Sequence, residues 1–207
     1  MTNFLQEGRP PLILASASPA RRALLESTGL TFSTTAADLD EAAMRTALGL
    51  DGTVDPSDVA EVLARAKAEA VSGPSGGAFV IGADQVMCAG KQTFGKPRTI
   101  DEARARLLDL SGKSHQLHTA VAIATGGATI WAYTDVATLT MRRFSPEFVG
   151  RYLAAAGEAV LGSVGAYQLE SLGIQFFEKI DGDFFSILGL PLLPLLDALR
   201  REGAIEG

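Results

Sequence analysis

The sequence has few of the residues that form cross-links and metal clusters. It contains one cysteine, Cys88, and two histidines, His115 and His118, in a chain of 207 residues. A single cysteine excludes an internal disulfide, which fits a reducing cytoplasm. The histidines are three positions apart in an expected strand, so their side chains should point to opposite faces of the sheet. Neither has a neighbouring cysteine or a helical histidine partner, and a zinc site is therefore not expected.

Excess positive charge and long apolar stretches are also missing. The formal net charge is -6 and the pI is about 5.0, which excludes a bulk attraction to DNA, RNA or an anionic membrane. No apolar run reaches membrane-spanning length, and residues 1–11 lack the basic and apolar regions of a signal peptide. We expect a cytoplasmic protein that binds neither nucleic acid nor membrane, and in which any anionic ligand is held by a few local cations.

The residues that are present predict a folded α/β protein. Hydrophobic residues make up 47% of the chain and charged residues 20%, which is typical of a globular domain. Strand and helix patterns alternate, so we expect a mixed sheet flanked by helices. We find no repeat and no linker, and we predict one domain over residues 1–207. The expected strands include residues 12–15, 30–36, 79–83 and 174–180, with an acidic loop at 38–41 and hairpins over 86–94 and 115–141.

The strongest local motif is a strand that turns sharply into a helix, over residues 12–22. Ser18 and Pro19 are favourable as the N-cap and first residue of that helix. The free backbone N–H groups at the helix start, together with the hydroxyls of Ser16 and Ser18, suit an anion. The motif is not a P-loop, because no glycine-rich run ends in Lys and Ser or Thr.

Two arginines follow in the first turn of this helix. Arg21 and Arg22 lie at the end where the helix dipole disfavours cations, unless an anion lies between them. This placement favours a phosphate site. The alternative is that both side chains face solvent, or that one of them pairs with a nearby carboxylate such as Glu26.

A second motif is an aspartate that follows a buried apolar strand. Gly82 and Ala83 precede Asp84, in the position where α/β sheets place their ligands. The alternative is that Asp84 only forms a turn. Further on, Lys96 lies between a glycine and a proline. Taken alone, such a lysine is most often solvated.

Two other charged groups are weaker candidates. Lys67 belongs to an alanine-rich helix, where a lysine usually lies on the solvated face. Asp38, Asp40 and Glu41 form a short acidic cluster that suits Mg²⁺, since that ion prefers carboxylate oxygens. The alternative for the cluster is a solvated acidic loop.

Taken together and in this order, these segments resemble the Maf family of nucleotide pyrophosphatases. Each segment is weak alone, but their joint order is highly specific and covers almost the whole chain. The resemblance implies a Maf/ITPase-like domain with a twisted mixed sheet and a central cleft between two lobes. The matching segments are Leu-Ala-Ser-Ala-Ser-Pro-Ala-Arg-Arg (14–22), Asp-Leu-Asp-Glu (38–41), Ala-Lys-Ala-Glu (66–69), Gly-Ala-Asp-Gln (82–85), Gly-Lys-Pro (95–97), Leu-Ser-Gly-Lys (110–113), Gly-Ala-Tyr (165–167) and Gly-Leu-Pro-Leu (189–192).

The resemblance also assigns roles to five charged residues. Asp84 matches the family's acidic catalytic residue, which acts as general base or metal ligand. Arg21, Lys67 and Lys96 match its phosphate-binding cations. Glu41 matches an acidic residue near the metal. A divalent cation, Mg²⁺ or Mn²⁺, is thus implied, with Asp84 and Glu41 as its expected ligands.

Substrate contacts are implied at five further positions. Ser16 matches the serine of the first loop, and Ser18 follows it in the same motif. Positions 20, 85 and 170 match places associated with base preference, and hold Ala20, Gln85 and Glu170. Gln85 and Glu170 are similar to the branch that acts on 7-methyl-GTP and differ from the dTTP/UTP branch. Ala20 departs from both branches.

The activity implied by the resemblance is hydrolysis of a nucleoside triphosphate at the α-phosphorus, which yields the monophosphate and pyrophosphate. Such house-cleaning enzymes remove non-standard or surplus nucleotides, and the family is associated with a homodimer in the cytoplasm. Some members were linked to inhibition of septum formation. The alternative is a non-hydrolytic nucleotide-binding regulator of cell division. A nucleic-acid-binding protein is disfavoured by the acidic pI.

Overall fold

Seven strands form one sheet in the computed structural model, which describes residues 3–48 and 54–207. The strands are β1 (Leu12–Leu14), β2 (Ser33–Thr34), β3 (Phe79–Ala89), β4 (Gln92–Phe94), β5 (Ser114–Thr125), β6 (Ala128–Met141) and β7 (Phe177–Asp181). Their order is β2-β1-β3-β5-β6-β7, and β4 also pairs with β3. β1 is parallel to β2 and β3, and the remaining pairs are antiparallel. The predicted mixed sheet is confirmed.

Helices cover both faces of this sheet. In the described residues they are α1 (Pro19–Glu26), α2 (Glu41–Ala47), α3 (Pro56–Ser72), α4 (Ile100–Leu110), α5 (Pro146–Ala156), α6 (Phe184–Leu188) and α7 (Leu192–Arg201). The apolar side of α3 packs on one face, against β3 and β5. The opposite face carries α1 and α7 near one end of β3, and α4 and α5 near the other end. The predicted α/β class is therefore confirmed.

The edge of β3 has a gap in its middle. On this edge β1 pairs with β3 as far as Ile81, and β4 begins to pair at Met87. The other edge pairs with β5 along almost its whole length. Residues 82–86 therefore have one strand edge to which no strand of the described chain pairs. This gap lies where the resemblance implies the cleft between two lobes.

Asp84 lies in the middle of this gap. The prediction that the strand ends at Ala83 is wrong, because β3 continues through Asp84 to Ala89. The continuation is stabilised by β5, which pairs with every residue from Val80 to Cys88. The site is thus a break in strand pairing along one edge, where we expected the end of a strand.

Separate hydrophobic clusters lie on either side of the gap. One contains Leu14, Leu25 and Ile81 together with α7, and all three of these side chains are fully buried. The other contains Met87 and Leu107, also fully buried, with residues of α4 and α5. Each lobe thus has its own packed interior, and β3 passes through both. The prediction of a single domain over residues 1–207 stays a prediction.

The expected N-cap at Ser18 and the expected hairpins are confirmed, and three further helices begin with the same kind of cap. The side chains of Ser18, Asp55, Thr99 and Ser145 each accept a hydrogen bond from a backbone N–H in the first turn of their helix. Such bonds satisfy donors that the helix itself leaves free. The hairpin of β5 and β6 turns at residues 126–127, where both glycines have positive φ.

Three expected elements differ from the structure. Glu41 begins α2, so residues 38–41 are not simply a loop: Asp40 is the N-cap and accepts a hydrogen bond from the N–H of Ala43 at 2.9 Å. The strand expected over 30–36 is reduced to β2, because β1 offers only two paired positions. The strand expected over 174–180 begins with a 3-10 helix, Leu172–Phe176, before β7.

No helix within residues 3–48 and 54–207 combines the length and the apolar character needed to cross a bilayer.

Candidate functional site

Asp84 is a buried carboxylate with a cation on each oxygen. Asp84 as a whole residue is 3% exposed. Oδ1 lies 2.8 Å from Lys67 Nζ, and Oδ2 lies 2.6 Å from Arg45 Nη2. A buried carboxylate is costly unless it is paired and hydrogen-bonded. The two cations meet that requirement, and both reach Asp84 on the α3 face of the sheet.

Lys67 is buried beside Asp84, although a lysine in an alanine-rich helix usually lies on the solvated face. The residue is 7% exposed, and its Nζ also lies 3.0 Å from Glu41 Oε2. Gly82 explains the close approach, because a Cβ there would lie 2.2 Å from the carbonyl oxygen of Ala64 in α3. The glycine lets α3 pack directly on β3, which places Lys67 at the carboxylate.

Arg21 and Arg22 have different positions: one of them makes the expected pair with Glu26, and phosphate binding by the other stays a prediction. Arg22 lies at the surface and pairs with Glu26 at 2.8 Å. Arg21 turns towards the gap, where Nη1 donates to the Ala83 carbonyl at 2.9 Å and Nε donates to the Gly189 carbonyl at 2.8 Å. Burial lowers the pKa of the Arg21 guanidinium, and the charges of Asp84 and Glu41 oppose that shift.

Lys96 approaches the same cluster from the loop between β4 and α4. The residue is exposed, and partial desolvation of its amine by the surrounding protein lowers its pKa. The positive charges of Arg21 and Lys67 lower that pKa further, while the negative charges of Glu41 and Asp84 raise it. Lys96 therefore lies within the electrostatic reach of the other four groups.

Arg106 of α4 fixes the loop that carries Lys96. Its Nη1 donates to the carbonyl of Gly95 at 2.5 Å and to the carbonyl of Val164 at 2.6 Å. Its guanidinium also lies over the ring of Phe94, 5.2 Å from the centroid. One side chain thus ties the β4–α4 loop to the segment that precedes Tyr167.

Arg45 is the site residue that our sequence reasoning missed. It lies one helical turn after Glu41 in α2, so both side chains lie on one face of that helix. The sequence signal was an acidic N-cap at Asp40 followed by residues that favour a helix. The partner of Arg45 is 39 positions away along the chain, and no local pattern identifies it.

The two serines of the first motif bond to their own turn. Ser18 Oγ accepts from the N–H of Arg21 at 3.4 Å, which is the expected N-cap. Ser16 Oγ accepts from the N–H of Ser18 at 3.2 Å. Both residues are half-buried at the start of α1. Their assignment as substrate ligands stays a prediction.

The three positions linked to base preference are in different surroundings. Gln85 lies on the opposite face of β3 from Asp84, since neighbouring strand residues alternate. Its amide nitrogen donates to Thr119 Oγ1 at 2.9 Å and to carbonyls at the C-terminal end of α6. Ala20 is half-buried in the first turn of α1, and Glu170 is exposed. Among the described residues, no hydrogen bond or ion pair joins Glu170 to the other two.

The carboxylates of Asp84 and Glu41 are a chemically suitable pair for a divalent cation. Both are hard oxygen donors, and both reach the same amine, Lys67 Nζ. The described part of the chain has no group of three or more acidic, histidine or cysteine side chains arranged for a metal. A pair is nevertheless sufficient for Mg²⁺, which commonly uses one or two carboxylates with phosphate and water oxygens.

The site as a whole has a surplus of positive charge in an acidic protein. Four cations lie within electrostatic reach of the two carboxylates, and they are Arg21, Arg45, Lys67 and Lys96. The chain as a whole carries a net charge of -6. A local positive surplus in a sheet cleft favours an anionic ligand with several charges. The fold and the site together define an α/β protein that binds a polyanion.

Comparisons with known proteins identify the family. The family model described as "Maf-like protein" matches residues 11–202, and the chain belongs to this family. It is 52% identical to the 7-methyl-GTP pyrophosphatase of Brucella abortus over 95% of this chain and 98% of that protein. It is 52% identical to the 7-methyl-GTP pyrophosphatase of Rhizobium johnstonii over 96% and 99%. It is 50% identical to the nucleoside triphosphate pyrophosphatase of Bradyrhizobium diazoefficiens over 97% and 98%.

Proposed function

We propose that this protein hydrolyses a nucleoside triphosphate to the monophosphate and pyrophosphate, with a 7-methyl-GTP-like nucleotide as substrate. The observation that carries the proposal is the cluster in the β3 gap, where Asp84 and Glu41 lie among four cations. Relatives of about half identical sequence are named for this activity, and the alignments cover nearly their whole length.

The proposed reaction is attack of water on the α-phosphorus. A bond forms between the water oxygen and phosphorus, and the bond to the oxygen that bridges the α- and β-phosphorus breaks. Pyrophosphate leaves with that bridging oxygen. Arg21, Lys67 and Lys96 hold the phosphate oxygens and offset their charge, which is the main contribution that a protein makes to phosphoryl transfer. Asp84 orients the water and accepts its proton, or holds the metal.

A divalent cation, Mg²⁺ or Mn²⁺, would be held by Asp84 and Glu41. When bound, it supplies positive charge to the triphosphate and to the leaving pyrophosphate. Lys67 touches both carboxylates, so the same amine that contacts substrate also positions the expected metal ligands.

The base preference is proposed from Gln85 and Glu170. Gln85 is oriented by its bonds to Thr119 and to the end of α6, which leaves its amide oxygen to accept a hydrogen bond from the base. Glu170 adds a carboxylate, which suits the positive charge that N7 methylation gives to guanine. Ala20 is small and leaves space beside the base.

A nucleotide panel tests both the activity and the preference. We would measure pyrophosphate and monophosphate released from 7-methyl-GTP, GTP, dTTP and UTP, each with Mg²⁺ and with Mn²⁺. Release of pyrophosphate in equal amount to the monophosphate, highest for 7-methyl-GTP, is the expected result. Binding without release of either product would support the non-hydrolytic regulator. Release of inorganic phosphate alone would mean that water attacks a phosphorus other than the α-phosphorus, and would contradict the proposed reaction.

We further propose a homodimer in the cytoplasm, on the basis of the family resemblance. The measurement is the molar mass in solution by light scattering at micromolar protein, and a mass near 21.7 kDa would contradict the dimer.

A further inference from the structure

Arg45 is the outermost group on the Asp84 carboxylate. Its side chain is 18% exposed, compared with 4% for the side chain of Asp84. On the other oxygen, the side chain of Lys67 is 8% exposed. Of the two cations on Asp84, Arg45 is therefore the more accessible to solvent. The 2.6 Å ion pair covers the carboxylate on its solvent side.

The helix that carries Arg45 is weakly attached to the rest of the protein. None of the seven residues of α2 is fully buried. Met44 and the C-cap residue Leu48 are half-buried. They pack against the cluster under α3, which is the hydrophobic cluster that buried residues of α3 form with β3 and β5. Within the described residues, α2 is also attached by two ion pairs, Glu41 to Lys67 and Arg45 to Asp84. An element held by few apolar contacts and by exchangeable ion pairs can shift at low cost.

The charge balance indicates what would replace Asp84 as the partner of Arg45. Without substrate, the two carboxylates neutralise only two of the four cations around them. A triphosphate brings more negative charge than this surplus. The planar guanidinium binds phosphate as well as it binds carboxylate, since both offer paired oxygens to its fork of N–H donors. Exchange of one oxyanion for the other therefore leaves the arginine satisfied.

We infer that Arg45 is a phosphate-binding residue that leaves Asp84 for an oxygen of the triphosphate when the nucleotide enters. The inference rests on the proposed function and adds a fourth cation to the three that the family resemblance implies. It also couples binding to chemistry: the incoming phosphate removes the group that covers Asp84 Oδ2. The carboxylate is then free to act on water or on the metal only when substrate is present.

The test is a binding experiment that requires no turnover. The probe is a guanosine triphosphate analogue with a methylene bridge between the α- and β-phosphorus, titrated by calorimetry into four proteins. These are the wild type, Arg45→Ala, Asp84→Asn and the double variant. We expect Arg45→Ala to weaken analogue binding about 10- to 100-fold, the usual size for a charged hydrogen bond to phosphate. The weakening should persist when Asp84 is already Asn.

The Asp84→Asn background distinguishes two roles of Arg45: direct contact with the phosphate of the analogue, and neutralisation of the Asp84 charge. If Arg45 serves only to balance the charge of Asp84, its removal has no effect on binding once that charge is gone, and the inference fails. Hydrogen exchange of residues 41–47 gives a second readout, since the analogue should change their protection in the wild type and not in Arg45→Ala. Unchanged protection in the wild type would contradict the exchange of partners.

Two control variants accompany the test, and its outcomes distinguish failure of the Arg45 inference from failure of the proposed function. Arg65→Ala removes another helical arginine, paired with Glu61 on the surface of α3 at 2.7 Å, and should leave analogue binding unchanged. Arg45→Lys keeps the charge without the fork and should recover part of the affinity. If the wild type binds neither this analogue nor the same analogue of 7-methylguanosine triphosphate, the proposed function itself is wrong. If it binds and only the Arg45 prediction fails, the proposed function stands.

Discussion

Arg21 and Arg45 both belong to the charged cluster around Asp84, but they are held in different ways. Arg21 donates to two main-chain carbonyls, those of Ala83 and Gly189. Arg45 is held by the side chain of Asp84. Main-chain carbonyls cannot rotate away from their donor, whereas a carboxylate can exchange partners. One arginine is therefore fixed before substrate arrives, and the other is exchangeable.

The same contrast divides the whole site. Asp84, Lys67 and Arg21 lie on β3, α3 and α1, and each of these elements contributes fully buried side chains to the core. Glu41 and Arg45 lie on α2, which contributes none. Catalytic electrostatics depend on groups that need not reorganise during the reaction, and these belong to the fixed half. We expect Arg45 of α2 to contribute mainly to binding, so the halves should respond differently to mutation.

The largest effect is expected in the fixed half, from Asp84→Asn. This change removes the proposed base or metal ligand while keeping nearly the same shape. We expect kcat to fall about 100- to 10,000-fold, the usual range for a general base, measured as pyrophosphate release at saturating nucleotide. Asp109→Asn is the control, since Asp109 is an exposed carboxylate paired with Lys113 at 2.7 Å. Near wild-type turnover of Asp84→Asn, with an unchanged melting temperature, would reject the assignment.

Lys96→Ala should have the next largest effect. Its amine lies within the electrostatic reach of Arg21, Lys67 and both carboxylates, so its loss removes charge that stabilises the transition state. We expect kcat to fall about 100- to 1,000-fold, by comparison with the loss of one charge-stabilising donor. The measurement is a full kcat and KM determination, with exposed Lys91→Ala as control. A change in KM alone would make Lys96 a binding residue and not a residue that stabilises the transition state.

Local sequence signals correctly predicted the backbone conformation at the start of α1, which belongs to the fixed half. The strand-to-helix turn at Ser18 and Pro19 was predicted from capping preferences, and it places Arg21 in the first turn. The family resemblance, and not the local pattern, predicted that Asp84 and Lys67 meet. Burial of Lys67 in an alanine-rich helix depends on Gly82, which is 15 positions away and permits the close packing of α3.

The exchangeable half was predicted least well. α2 is a short helix with no buried face, so hydrophobic periodicity gives no signal for it. Its N-cap at Asp40 was present in the sequence, but the acidic cluster around it also fits a loop or a metal site. The role of Arg45 depends on a tertiary contact with Asp84, and tertiary contacts of this kind are not encoded by local pattern.

Arg106→Ala tests whether the fixed half extends to a residue that does not touch substrate. Arg106 holds the carbonyl of Gly95, next to Lys96, so we assign it as a positioning residue. We expect kcat/KM to fall about tenfold, as expected when a catalytic group is misplaced. The effect should disappear in the Lys96→Ala background. Arg104→Ala is the control, as Arg104 makes only a 3.4 Å bond to the Pro146 carbonyl. An equal loss in the Lys96→Ala background would mean a general structural role.

The smallest effect is expected from Met44→Ala, which tests the attachment of α2 itself. Met44 is half-buried against the cluster under α3, so its truncation should weaken docking of α2 by about 1 kcal/mol, in proportion to the apolar area lost. That energy corresponds to about fivefold faster hydrogen exchange at residues 41–47, with little change in the global free energy of unfolding by urea. Leu25→Ala, at a fully buried position of α1, should instead lower the global value by about 2–5 kcal/mol. If Met44→Ala lowered global stability as much as Leu25→Ala does, α2 would be part of the cooperative core, and the distinction between a fixed and an exchangeable half would be wrong.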